Sequence, residues 1–137
     1  MPITQLSKNF TRSEFACKCG CGFANPHPTL VKGLQLVRCL VGKPIIIISG
    51  CRCKTHNEAE HGAKGSMHLP DDEGFGRAAD ITCPTLPIRK LYEVAASTLC
   101  FNGIGVDDAR NMLHLDIRPK FTRWCYADGT QTKWYNV

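Results

Sequence analysis

The run AADIT, Ala78 to Thr82, sets the hardest constraint in the sequence. Its small and β-branched residues read as a buried strand, yet Asp80 stands in the middle, and strand interiors disfavour aspartate. A carboxylate taken out of water costs several kcal/mol unless something positive meets it. A fold that buries this strand must therefore bring a cation to Asp80. A bound metal ion meets the requirement, and so does a salt bridge from Arg77 or Arg118.

A second strand signal points the same way. In NMLHLDI, Leu113, Leu115 and Ile117 alternate with Met112, His114 and Asp116, so that aliphatics fill one face and the histidine and aspartate share the other. Ile45 to Ile48 is a continuous β-branched run. It predicts a strand covered on both faces that delivers the chain into the loop SGCRCKTHN. Between these strands lie helical patterns. Leu30, Leu34, Val37 and Val41 follow Pro28 at near-helical spacing, and Gly42 and Pro44 supply the stop. Pro87 suits the first turn of a helix carrying Leu91, Ala95 and Leu99 on one face and ending before Asn102 and Gly103. Thr11 to Glu14, TRSE, reads as a capping box on a short helix, and RWCYADGTQTKWY as a hairpin turning at Asp128 and Gly129. IGV, Ile104 to Val106, is a further short strand. The order is mixed α+β, without regular βαβ alternation.

The 137 residues predict one domain, 1–137, with one modest core. With 43% hydrophobic and 21% charged residues, the composition is that of a globular fold and extensive disorder is not expected. The net charge of +5 favours an anionic partner, and nucleic acid, acidic lipid and bacterial cell wall all qualify. The opening MPITQLSKNFTRSEF lacks the apolar core of a signal peptide, and no apolar run approaches the roughly 18 residues of a membrane span. Synthesis in the cytoplasm without a membrane span is expected.

Nine cysteines are many for this length, and their number is odd. Without a secretory signal, structural metal or reduced thiols compete with disulfides. Cys39 and Cys100 fall at apolar helical positions and read as small core residues. Cys17, Cys19 and Cys21 are spaced by single residues, unlike the CxxC pairs of a zinc ribbon, and Cys51 and Cys53 repeat that spacing. The two groups can meet as disulfides or as a second, structural metal site, or remain independent thiols.

A catalytic zinc site takes three protein ligands and keeps a fourth position open. His68, Asp80 and His114 are such a set, although a loop histidine such as His68 is often merely solvated. Asp116, beside His114, would be either a general base or a partner that orients the histidine. HNEAEH, His56 to His61, is not HExxH. Its histidines are five apart and share no helix face, so it reads as polar loop or short helix. Trp124 and Trp134 read as core or groove-lining aromatics.

The segments SGCRCKTHN, GAKGSMH, GRAADI and HLDIR, in this order, resemble the M15 zinc peptidases, the group of D-alanyl-D-alanine carboxypeptidases, murein endopeptidases and many phage endolysins. The likeness spans roughly Phe10 to Trp124, and SEFACKCGCG resembles its phage and prophage branch. It implies a hedgehog/DD-peptidase fold, a small antiparallel sheet with flanking helices, and one catalytic Zn2+ held by His68, Asp80 and His114. It further implies that Arg52 binds a substrate carboxylate or the developing oxyanion, and that Ser66 hydrogen-bonds substrate. A surface ion pair and a loop cap are the plain alternatives for these two.

The chain departs from that pattern twice. The first histidine and the aspartate are usually about seven positions apart in the family and are twelve apart here, which makes Pro70 to Gly74 a loop insertion beside the site. Many members also place a carboxylate base three residues before the last histidine, where this chain has Asn111. Asp116 is then the preferred base, with Asp107 and Asp108 as alternatives. The expected function is a monomeric zinc peptidase that cuts peptidoglycan stem peptides or cross-links. As a phage or prophage lysis enzyme, it would reach the wall after release or export. A non-catalytic zinc-stabilised binding module is the competing reading. A Cys-rich nucleic-acid-binding protein explains charge and cysteines but leaves the His, Asp, His set without a purpose, so no nucleic acid partner is expected.

Overall fold

In the computed structural model, residues 3–127 are described in full and Thr130–Lys133 by backbone alone. Three helices and a six-stranded sheet arise from the patterns above. The helices are α1 (Pro28–Val41), α2 (Lys54–Ala59) and α3 (Ile88–Ser97). The strands are β1 (Ile46–Ser49), β2 (Ala78–Thr82), β3 (Gly103–Asp107), β4 (Met112–Asp116), β5 (Thr122–Ala127) and β6 (Thr130–Lys133), in the spatial order β1-β2-β4-β3-β5-β6. The fold is α+β. All neighbours are antiparallel except β3 and β5, which run parallel, so the sheet is mixed where a wholly antiparallel one was expected. The exception follows from the chain's path. After β4 it crosses to the far side of β3, and Asn102 anchors the crossing by donating from Nδ2 to the carbonyls of Arg118 and Pro119 at 2.9 and 3.1 Å.

Helix α1 starts at Pro28, whose missing N–H costs nothing in a first turn. Leu30, Leu34 and Val37 are fully buried, each worth about 1.5–3 kcal/mol of apolar transfer. Helix α3 packs against β3 and β4, and α1 packs against α3. The period of two then decides the sheet's faces. Ala79, Ile81, Ile104, Val106, Leu113 and Leu115, all fully buried, form the core face. Asp80, His114 and Asp116 point the other way. No described helix is long and apolar enough to cross a membrane.

Two local expectations are corrected. Strand β1 is an edge strand, not one covered on both faces. Ile47 is buried, but Ile46 and Ile48 remain 48% and 38% exposed because, among the described residues, β1 lies at the sheet's edge with its outer face left largely open. Helix α3 stops at Ser97, and Leu99 is 88% exposed in a left-handed conformation. Thr98 Oγ1 takes the carbonyl of Ala95 at 2.7 Å in the last turn, and Phe101 enters the core instead of Leu99. The capping box expected at TRSE does form, on a single 3-10 turn, Arg12–Phe15, with Glu14 accepting the Thr11 N–H at 2.8 Å. The tail hairpin forms as β5 and β6, paired up to Ala127 and Thr130, while its expected turn residues Asp128 and Gly129, and Trp134, lie outside the described residues.

The insertion Pro70–Gly74 is an ordered turn. Asp71 Oδ1 accepts the N–H groups of Glu73 and Phe75 at 2.8 and 2.9 Å, and its other oxygen takes Arg77 Nε. Asn25 Nδ2 donates to the Gly74 carbonyl, and Phe75 lies edge-on to His27. The insertion thus leans on the segment before α1. The Phe75 N–H and then the Arg77 guanidinium bring the Asp71 carboxyl down to about 2. A carboxyl with a depressed folded pKa contributes its stabilisation fully above its unfolded pKa, and loses it as pH falls through the folded value. The amide shifts of Glu73 and Phe75 should therefore hold nearly constant down to about pH 3 and move with a midpoint near about 2. Asp71→Ala should open residues 70–76 to limited proteolysis at neutral pH.

Candidate metal centre and cleft

The pairing of β2 with β4 sets Asp80 opposite His114, and β3 continues the row with Gly105 and β5 with Trp124. On the other side, Ser49 of β1 faces Asp80. A neighbouring row aligns Ala78, Asp116, Gly103 and Thr122. The glycines of β3 make these rows possible. A Cβ on Gly103 would lie 2.1 Å from the Asp116 carboxylate, and one on Gly105 would lie 2.3 Å from the Trp124 indole nitrogen. Two charged or aromatic side chains thus occupy space that the neighbouring strand leaves free.

His68 comes from the loop before β2. Its backbone N–H donates to Ser66 Oγ at 3.2 Å, which closes the turn, and its Nδ1 lies 2.6 Å from the Gly50 carbonyl. That bond requires a proton on Nδ1 and leaves Nε2 as the free lone pair. Nε2 lies 3.2 Å from Asp80 Oδ2 and is buried without a hydrogen-bond partner. His114 Nδ1 lies 2.9 Å from Asp80 Oδ1, while its Nε2 meets Asp116 Oδ2 at 2.7 Å. One atom each from His68, Asp80 and His114 falls within 4.8 Å of the others. Two imidazole nitrogens and a carboxylate oxygen are a donor set suited to zinc. The orphaned His68 Nε2 is the direct sign that this set fits an ion, because a buried nitrogen otherwise forfeits its hydrogen bond.

The charges around Asp80 resolve the constraint in its strand. Burial alone would raise its pKa, but His68 and His114 hold the carboxyl far below the ordinary range. Arg52 Nη2 adds an ion pair at 3.2 Å. For His114, burial would lower the pKa, yet the hydrogen bonds to Asp116 and Asp80 raise it to about 9. Asp116 is also depressed against its burial, by His114 and then by Arg118, and this pair raises Arg118 in turn.

These contacts separate the remaining sequence expectations. Arg52 is fixed by Ser49 Oγ, Asn57 Oδ1 and Asp80 at 3.1–3.2 Å, with one edge on the cleft. Ser66 lines the cleft while serving as the loop cap. Asp116 is fully buried, and both oxygens are taken by His114 and Arg118. Its position suits orienting the ring, whereas a base must face the substrate. Asp107 is buried against Arg110, and Asp108 pairs with Arg89 on the surface, so neither lines the cleft. Asn111 takes a left-handed turn conformation at φ 51° and donates to Thr82 Oγ1.

Asn57 carried no clear sequence signal, whereas Trp124 is the buried, cleft-lining aromatic that its sequence reading expected. Asn57, 3% exposed, bridges Arg52 to the Ala63 carbonyl. Trp124 stacks near His114, with ring centres 5.2 Å apart, beneath the guanidinium of Arg118. The pattern GIG facing HLD was the one available hint of the space they need.

All of this floors a cleft of about 690 Å³. Lys18, Arg52, Arg110 and Arg118 line it, whereas Asp80 and Glu60 are the only carboxylates among its described lining residues. His56 also lines it and lies 3.6 Å from Glu60 across one turn of α2. None of Pro70–Gly74 borders the cleft.

Removing a carboxylate that orients a metal-binding histidine typically costs 10–100-fold in metal affinity. Asp116→Asn should therefore weaken zinc binding by about that factor in a chelator competition. Unchanged affinity with lost turnover would return Asp116 to the role of base.

The family model described as Peptidase M15 matches residues 8–116. No curated protein and no solved structure matches the chain.

Proposed function

The chain belongs to the M15 peptidase family, and on that premise we propose that it is a zinc-dependent peptidase that hydrolyses peptidoglycan stem peptides or their cross-links. The observation that carries this reading is the convergence of His68 Nε2, Asp80 and His114 Nδ1 on the floor of a cationic cleft. Zinc held by these three residues supplies Lewis-acid chemistry, polarising a carbonyl and acidifying water. The protein's own groups do the rest.

Gly50 and Asp116 fix the two imidazoles in the tautomers that aim Nε2 of His68 and Nδ1 of His114 inward. Arg52, held rigidly on three sides, offers its guanidinium to a substrate carboxylate or to the oxyanion that develops at the scissile carbonyl. Stem peptides are rich in free carboxylates, which suits a cleft lined by one lysine and three arginines. Of the carboxylates lining the cleft, Asp80 is a ligand and Glu60, 3.6 Å from His56, is left to take the proton of the attacking water, since the buried Asp116 has no oxygen to spare. Transfer onward to the leaving amine completes hydrolysis. The proposed setting is the bacterial cell wall, reached by a monomeric phage or prophage lysis enzyme.

Incubation with purified peptidoglycan should release fragments with new amine termini, seen by mass spectrometry with zinc and abolished by a chelator. The fragment masses name the bond. If a folded, zinc-loaded chain releases nothing from several wall chemotypes, the non-catalytic binding module takes its place. Glu60→Gln should keep zinc and slow turnover about 10²–10⁴-fold. Arg52→Ala should lower kcat/KM roughly 10–100-fold. A change confined to KM would assign Arg52 to a substrate carboxylate, and one confined to kcat to the oxyanion.

A further inference from the structure

We infer that Cys17, Cys19, Cys21 and Cys53 form a second metal centre, a closed four-thiolate zinc site that ties the KCGCG loop to the start of α2. The sulfur of Cys17 lies 3.4 Å from that of Cys19 and 3.9 Å from that of Cys53, and Cys19 and Cys53 are 3.6 Å apart. The Cys21 sulfur completes a group in which all four fall within 4.8 Å of one another. With Zn–S bonds near 2.3 Å, a tetrahedral site has sulfur–sulfur edges of about 3.8 Å. The separations among Cys17, Cys19 and Cys53 bracket that edge.

Disulfides would leave a different pattern. They join sulfurs in pairs at about 2.05 Å and push each pair away from the next, whereas here one sulfur from each of three residues is almost equidistant from the other two. A common centre accounts for that arrangement, and pairing does not. Four sulfur donors select zinc over magnesium or calcium, which take oxygen. Backbone groups also support the sulfurs as acceptors. The Cys53 N–H donates to Cys17 at 3.4 Å, and the His56 N–H donates to Cys53 at 3.4 Å. Cys51, the fifth cysteine of the two sequence groups, is not part of this site. It is buried in the hydrophobic core, where burial pushes its thiol up to about 11, and it is corrected from candidate ligand to core thiol.

The centre is distinct from the His68, Asp80, His114 site but adjoins its walls. Lys18 sits between Cys17 and Cys19, Arg52 directly precedes Cys53, and the His56 N–H donates to that same Cys53 sulfur; all three residues line the cleft. With four protein ligands the site leaves no position for substrate, so its role is to fix that wall.

The test counts metal on the reduced full-length protein purified without chelator. Elemental analysis should find two zinc ions per chain in the wild type, one in His114→Ala, and one in Cys19→Ser or Cys21→Ser. Both cysteines are exposed, so neither serine opens a cavity in the core. Cobalt loaded into His114→Ala should show thiolate-to-metal charge-transfer absorption, and this reading does not depend on the serine variants folding. Three results would overturn the proposal: a single wild-type zinc that His114→Ala removes entirely, no charge-transfer band with cobalt, or two zinc ions still bound in both Cys19→Ser and Cys21→Ser. None of these readouts uses peptidase activity, so the assignment stands or falls apart from the proposed reaction.

Discussion

Asp80 is tolerable in a buried strand only because two imidazoles and a guanidinium surround its carboxylate. The other features of the site can be traced to that requirement. His114 reaches Asp80 because β4 pairs with β2 in one register, and a slip of one residue would turn His114 and Asp116 into the aliphatic core. Each histidine nitrogen that faces Asp80 is set by a partner on the ring's other nitrogen, Gly50 for His68 and Asp116 for His114. Asp116 in turn is buried and needs Arg118, whose guanidinium covers Trp124. The register of the sheet and the geometry of the site therefore enforce each other.

Much of this was legible in the sequence, since both signals are periodic. Alternation in NMLHLDI separated a core face from a polar face, and helical spacing located α1 and most of α3. The search for ligand candidates began from a strand carboxylate that needed a cation, whether a metal ion or an arginine. What escaped depends on tertiary neighbours. Nothing in IIII says whether a strand lies at a sheet's centre or edge, because the pattern is silent about what covers its second face. Nothing in LDIRPKF says that the chain crosses β3 to pair in parallel on its far side. Asn57 looks like any polar helix residue until Arg52 is seen to need an acceptor. Asp116 was rightly associated with His114, but its burial, which decides between orienting and accepting a proton, comes from Arg118 and Gly103.

The position three residues before His114 illustrates how a turn governs chemistry. Asn111 ends the β3–β4 connection in a left-handed conformation that asparagine tolerates better than most residues. Its side chain reaches Thr82, outside the cleft. On the opposite wall of the cleft, α2 brings Glu60 and His56 within 3.6 Å of each other, and the proposed base is placed there for that reason.

That wall rests on a single stretch, Ser49 to Asn57, which leaves the end of the edge strand after a register shift between Ile47 and Ser49. The end of an edge strand has backbone and side-chain groups not committed to a second neighbour, and nearly every residue here uses them. Ser49 accepts from Arg52, and the Gly50 carbonyl holds His68. Cys51 plugs the core, while Arg52 pairs with Asp80. Cys53 joins the sulfur cluster and caps α2, and Asn57 closes back onto Arg52. Such a segment has little intrinsic order, since α2 is only six residues long and too short to persist alone. Contacts at both ends must hold it. Asp80 and His68 do so on the side of the sheet, and the four cysteines do so on the side of the N-terminal loop. Two clusters with different ligand chemistry thus meet across one short loop and fix Arg52 between them.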